Sequence, residues 1–215
     1  MIWGLEDHFG IDFEKYIAEQ LEKLGFKCFT SVYTRNLDVE SQIDVVALCR
    51  YSIVCIECKS WNCVDLDWDR CKLNWKYTTV LGNLKQARNP LRQCMNQTET
   101  LRRDLEENMD IKSGYPCYSV VVIKGNGNES KARKSATSSN NIYMCNDLEM
   151  LRDRYLLEPN VEFDKETISK YSEFFLYRQD MSSKRLEEHR NYINNCKETK
   201  TGLWRPHTGI ELYQI

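Results

Sequence analysis

Apolar and polar positions alternate along this chain in two distinct rhythms. Between residues 12 and 24 the apolar side chains Phe13, Ile17, Leu21 and Leu24 recur at helical spacing. The spacing predicts an amphipathic helix, with Asp12 as its N-cap and Gly25 as its stop. The rhythm then changes. FKCFTSVYT (26–34), QIDVVAL (42–48) and SIVCIECK (52–59) are rich in aromatic and β-branched residues and predict three consecutive strands. Residues 60–82 carry several Trp and Asp residues and read as an excursion with a short strand. A helical pattern runs from Asn83 to Glu107, with Pro90 as an interruption or a first helical residue. CYSVVVIKG (117–125) predicts a fourth strand. The Gly-, Ser- and Asn-rich stretch after it predicts a loop. NIYMC follows as a short strand, and NDLEMLRDRYL as a helix capped by Asn146 or Asp147. Two further helices are expected over 164–179 and 182–197.

The order helix, three strands, helix, strand, short strand, helix describes an α/β layer fold with a mixed central sheet. The boundary expected from it puts one domain over residues 1–155 and a helical appendage over 156–215.

Within this apolar pattern three charges are out of place. QIDVVAL contains Asp44, and SIVCIECK contains Glu57 and Lys59. An unpaired buried charge costs several kcal/mol or shifts its pKa until it is neutral. If Arg50 and Tyr51 form a hairpin tip, Asp44 faces Glu57 across the ladder, with Cα atoms about 5 Å apart. Lys59 then shares their face, while Ile43, Val45, Ala47, Val54, Ile56 and Cys58 line the other. Two converging carboxylates suit Mg²⁺, a hard cation that takes oxygen ligands. An adjacent ammonium can orient water or stabilise charge on a phosphate. The alternative is a structural ion pair between Lys59 and Glu57 or Asp44.

Composition narrows the classes. The formal net charge of −2 provides no global basic field. No apolar run reaches a membrane span, and the N-terminus shows no secretory pattern. These features place the chain in the cytoplasm, away from membranes, so its ten cysteines are expected as thiols. The CxxC at Cys55 and Cys58 falls in a strand, where the two side chains point to opposite faces and could not easily chelate one zinc. His8, His189 and His207 lie far apart and form no histidine metal motif.

FEKYIAEQLEKLGF, QIDVVAL and IVCIECKSW, taken in order, resemble the PD-(D/E)XK nuclease superfamily over roughly residues 9–125. NPLRQ (89–93) resembles the signature of its nuclease-related domain (NERD) branch, while the opening helix resembles the Mrr-like restriction endonucleases as a second choice. The resemblance implies a restriction-endonuclease-like αβββαβ core. It assigns Asp44 and Glu57 to metal, with the main-chain carbonyl of Cys58, and Lys59 to the attacking nucleophile. Glu14 would assist from the first helix, and Gln93 would orient water or substrate. Ile43 stands where the motif's Pro is usual. The implied activity is Mg²⁺-dependent phosphodiester hydrolysis, with Mn²⁺ as a substitute. DNA ranks ahead of RNA and endonuclease ahead of exonuclease, in a defence or repair setting. A homodimer and a partner protein on the C-terminal helices are the expected assemblies. A silent nucleic-acid-binding or protein-interaction module on the same fold is the competing reading.

Basic residues supply the remaining expectations. Lys85, Arg88 and Arg92, with Arg102 and Arg103, are placed on the helix after the catalytic strands as phosphate contacts. Lys131, Arg133 and Lys134 fall in the polar loop. Trp61, Trp68, Trp75 and Tyr77 could stack on unpaired bases or cover the excursion.

Overall fold

The computed structural model describes residues 6–36, 39–109, 116–125, 141–156 and 162–198. Helix α1 (Glu6–Lys23) precedes β1 (Lys27–Asn36), β2 (Val39–Leu48) and the long β3 (Ile53–Asp67). Strands β4 (Asn74–Thr79) and β5 (Leu84–Arg88) follow, then α2 (Pro90–Met109), β6 (Cys117–Gly125) and β7 (Ile142–Met144). Helices α3 (Leu148–Leu156) and α4 (Lys165–Glu198) close the described chain.

All seven strands among the described residues join one mixed sheet. β1, β2, β3, β4 and β5 pair antiparallel in that order, while β6 pairs parallel with both β3 and β7. With helices on both faces, this is a restriction-endonuclease-like α/β core followed by C-terminal helices. Val45, Ala47, Val54, Ile56, Val120 and Val122 pack against Phe13, Ile17 and Leu21 of α1 and Leu151 of α3. The opposite face sends Val46, Leu48, Ile53 and Cys55 against Cys94, Leu101 and Leu105 of α2 and Tyr171 and Phe175 of α4.

Both faces being apolar corrects one expectation. Ile43 does not share a face with Val45: it packs with Val46 on the α2 side. In β1, Phe29 and Val32 likewise both turn to that side. Between them Ser31 takes a left-handed backbone conformation, φ 53°. That conformation breaks the period-two alternation of an ordinary strand.

Two further elements differ from the sequence expectation. Residues 84–88 form a strand paired with β4, and the helix starts only at Pro90. Asn89 is its N-cap, with Oδ1 accepting the Arg92 N–H at 3.1 Å, and Pro90 is the first helical residue, not an interruption. The two expected C-terminal helices are one, α4, since no Gly or Pro falls between 179 and 182 to break it. Its described part packs against the sheet and α2. Phe163, Tyr171 and Phe175 are core residues, and buried Arg178 pairs with buried Asp104 of α2 at 2.5 Å.

The nine described cysteines are free thiols. Cys55 points towards α2 and Cys58 packs on the α1 side, so the CxxC makes no chelate. No helix among the described residues is long and apolar enough to cross a membrane.

Candidate active site at a gap in the sheet

β3 changes partners along its length, and the change creates the site. Its ladder to β2 follows the register set by the Arg50–Tyr51 tip, from Leu48 against Ile53 to Val45 against Ile56, and ends there. Its ladder to β4 begins only at Cys63. Residues 57–62 therefore lack a neighbour on one edge, while β6 continues along the other as far as a bulge between Lys59 and Cys63. Asn62, with φ 48°, lies in that bulge. Burial falls from complete at Ile56 to partial over residues 58–62. Glu57 and Lys59 occupy this gap.

Asp44 and Glu57 are the next residues after the last β2–β3 partners, and no ladder pair joins them. Instead the Cys58 N–H donates to Asp44 Oδ2 at 2.8 Å. The carboxylate thus takes a strand donor that the parted ladder leaves free. Glu57 is 1% exposed. Its Oε1 accepts Lys59 Nζ at 2.5 Å, and its Oε2 is buried without a hydrogen-bond partner among the described residues. Glu14 of α1 reaches the same cluster and accepts a hydrogen bond from Ser31. The strained residue of β1 thereby also fixes an acid of the site.

Electrostatics bind these groups together. Burial, then the neighbouring Glu57, pushes Glu14 up to about 7, although Lys59 and Ser31 act against the shift. Asp44 is raised well above the usual carboxylate range by burial and by Glu57 and Glu14, against the Cys58 N–H and Lys59. Glu57 is also raised by burial, while Lys59, Gln97 and Gln93 favour its ionised form. Burial works to lower Lys59, but Glu57 and Asp44 outweigh it and the net shift is upward. Three acids share one ammonium, which leaves an excess of negative charge when all are ionised.

Gln97 is a site residue that sequence reading missed. Its buried side chain donates to Gln42 O at 2.8 Å, and its Oε1 lacks a partner among the described residues. It lies one helical turn beyond Gln93, a spacing that would have suggested it.

Of the expected phosphate contacts, Lys85 and Arg88 are exposed on β5 instead of a helix, and Arg92 is exposed in the first turn of α2. Arg102 and Arg103 pair with Glu99 at 2.9 and 3.0 Å. Trp75 is fully buried, Trp68 meets it edge-on, and Trp61 stacks on Tyr77 with centroids 4.4 Å apart. These rings cover the excursion. Lys131, Arg133, Lys134 and His207 lie outside the described residues, as do the side chains of His8 and His189.

The donor set fits a hard divalent ion. Among the described residues no three His, Cys, Asp or Glu side chains are grouped so that together they could hold a metal ion. Mg²⁺ needs no such group, since it usually takes one or two carboxylates together with water and phosphate oxygens. The buried, unpartnered Glu57 Oε2 and the surplus negative charge are what such an ion would satisfy.

A restriction-endonuclease-like sheet with Asp, then Glu-x-Lys, in a gap between strands defines the nuclease-related class. The family model described as "Nuclease-related domain" (NERD) matches residues 9–124. The chain belongs to that family, within the PD-(D/E)XK-like nucleases. A crystal structure described as a protein of unknown function, AF1548, is 20% identical, with a TM-score of 0.31, over 63% of this chain and 56% of that one. This chain therefore spans little more than half of that protein's length. No curated protein matches.

Proposed function

We propose that the chain is a metal-dependent nuclease that hydrolyses phosphodiester bonds within DNA strands, with Mg²⁺ as its ion and Mn²⁺ able to replace it. The observation that carries this reading is Glu57, buried to 1% exposure, with one oxygen on Lys59 and the other without a hydrogen-bond partner among the described residues. A purely structural ion pair would gain from having every lone pair satisfied.

Asp44 and Glu57, with the Cys58 carbonyl, would hold the ion. When bound it would supply Lewis-acid polarisation of the phosphodiester and acidify a nearby water. Lys59 holds Glu57 Oε1, and its raised pKa keeps it protonated at neutral pH. It therefore acts as a fixed positive donor to charge growing on the phosphate, and not as a base. Glu14, with a pKa near 7, can take up or release a proton at working pH. Gln93 and Gln97 keep Glu57 ionised from the α2 side.

One observation favours the second reading, a silent binding module: the 2.5 Å contact of Lys59 with Glu57 already neutralises one acid. The two readings separate when the parent and Lys59→Ala are incubated with single-stranded, duplex and branched DNA and with RNA, in Mg²⁺ or Mn²⁺. Metal-dependent cutting by the parent that the substitution removes supports the nuclease. Intact substrate with the parent under every condition overturns it.

A further inference from the structure

We infer that the β4–β5 turn, residues 80–84, grips exposed nucleobases of the substrate beside the cleavage site. The inference rests on the nuclease reading and adds a substrate class: strands whose bases are unpaired or easily unstacked.

The turn is tightly built. Thr79 N–H donates to Asn83 O at 3.0 Å, Gly82 N–H to Thr79 O at 2.9 Å, and Asn83 N–H to Thr79 Oγ1 at 3.3 Å. This is a three-residue hairpin loop with its left-handed position at Gly82, φ 78°. Only Gly82 is demanded by the geometry. Polar residues would serve at the other positions, yet Val80, Leu81 and Leu84 are 45%, 83% and 70% exposed. Among the described residues none of the three side chains joins a core cluster.

Their location is informative. The Val80 N–H donates to Asn62 O at 3.1 Å, which ties the turn to the end of the gap in β3. Asn62 lies in the bulge after Lys59, where β3 from Lys59 to Cys63 advances only from Ile123 to Gly125 of β6, about 7 Å or about two base steps of a stacked nucleic acid. The Trp61–Tyr77 stack, with planes 5° apart, braces the hairpin against the strand that bears Glu57 and Lys59. A strand entering the site would pass the turn at a fixed distance.

Charge selects the occupant. Six Lys and Arg against three Asp lie between residues 61 and 92, in a chain whose formal net charge is −2. Lys76, Lys85 and Arg88 are exposed on the two hairpin strands. Cations for phosphates beside rigid apolar side chains match a nucleic acid that presents both backbone and bases. A continuous duplex keeps its base faces stacked out of reach, whereas a single strand or a fork offers them.

The test measures binding of a labelled single strand and a blunt duplex of equal length, in EDTA so that nothing is cut. The variant is Leu81→Ser with Leu84→Ser. Both side chains are exposed, so its melting temperature should match the parent's. The parent is expected to prefer the single strand, and the variant to bind it about tenfold more weakly, with a smaller change for the duplex. Leu81→Ala and Leu84→Ala singly, at about threefold each, replace the double variant if it melts low. Unchanged single-strand affinity in a well-folded variant, while the parent still cuts DNA, overturns this inference alone. So does a loss of self-association in sedimentation with affinity unchanged, which would make the turn a contact between copies. A parent that binds neither nucleic acid overturns this inference, and the nuclease reading falls with it only when the same parent also leaves every substrate intact in Mg²⁺ and Mn²⁺.

Discussion

Glu14→Gln should flatten the pH dependence of stability in the metal-free protein. Glu14 has an ordinary carboxyl pKa of 4.5 when unfolded and one pushed up to about 7 in the fold, first by burial and then by Glu57. The folded chain therefore holds this proton more tightly than the unfolded chain. The stabilising contribution is complete below pH 4.5 and is lost as pH rises through about 7. The full gap corresponds to about 3 kcal/mol, and partial contact with water trims it to about 2 kcal/mol. Asp44 is raised in part by Glu14 and is relieved when Glu14 loses its charge, so coupling adds in the same direction. Gln can still accept the Ser31 hydrogen bond, which confines the change to charge. The assay is urea unfolding in EDTA at several pH values between 5 and 8. The parent should lose about 2 kcal/mol more than the variant across that range. Parallel profiles would refute the reasoning, because they would mean that Glu14 titrates in the fold as it does in the unfolded chain.

Other substitutions test the supports of the site. Arg178→Met should destabilise the fold by about 3 kcal/mol in denaturant titration by stranding buried Asp104, and adding Asp104→Asn should restore part of the loss. Asn89→Ala removes a cap and the amide that donates to the carbonyls of Asp69, Arg70 and Lys72. Its expected cost in thermal or denaturant unfolding is about 2 kcal/mol, and Asn89→Asp should recover only the cap. Gly125→Ala would put a Cβ 2.1 Å from the mobile end of Met144 and 3.1 Å from the Cys63 carbonyl, so β3 and β6 must shift apart; a lower melting temperature by several degrees is expected. Gln97→Leu should weaken Mg²⁺ binding in calorimetry by raising the pKa of Glu57, with the largest effect at low pH.

The fold was legible wherever local pattern and tertiary demand agree. Phe13, Ile17 and Leu21 mark one helix face and are buried on that face. The β2–β3 register follows from two apolar runs meeting at Arg50 and Tyr51. LKQAR failed for the opposite reason. Leu, Lys, Gln, Ala and Arg are strong helix formers, and only pairing with NWKYTT makes them a strand. That error moved Lys85 and Arg88 onto a helix they do not occupy. The C-terminal helix was legible as a helix but not as core, because its anchor is an ion pair joining residues 74 positions apart.

The site was legible as chemistry and hidden as geometry. Opposing Asp44 and Glu57 in a regular ladder accounts for their proximity, but a regular ladder would have sealed them in. The structure brings acids from α1, β2 and β3 together because β3 has no partner on one edge between its β2 and β4 ladders. Three features share that six-residue gap: a strand N–H free to bind Asp44, partial exposure, and a bulge that turns β3 towards the hairpin. Each depends on where neighbouring strands stop pairing. Periodicity within one strand reports which faces are apolar and says nothing about where its partners end. The single residue that betrays the irregularity in β1, Ser31, is an ordinary polar letter in a strand-like run, and its left-handed backbone is set by the packing of Phe29 and Val32 to the same side.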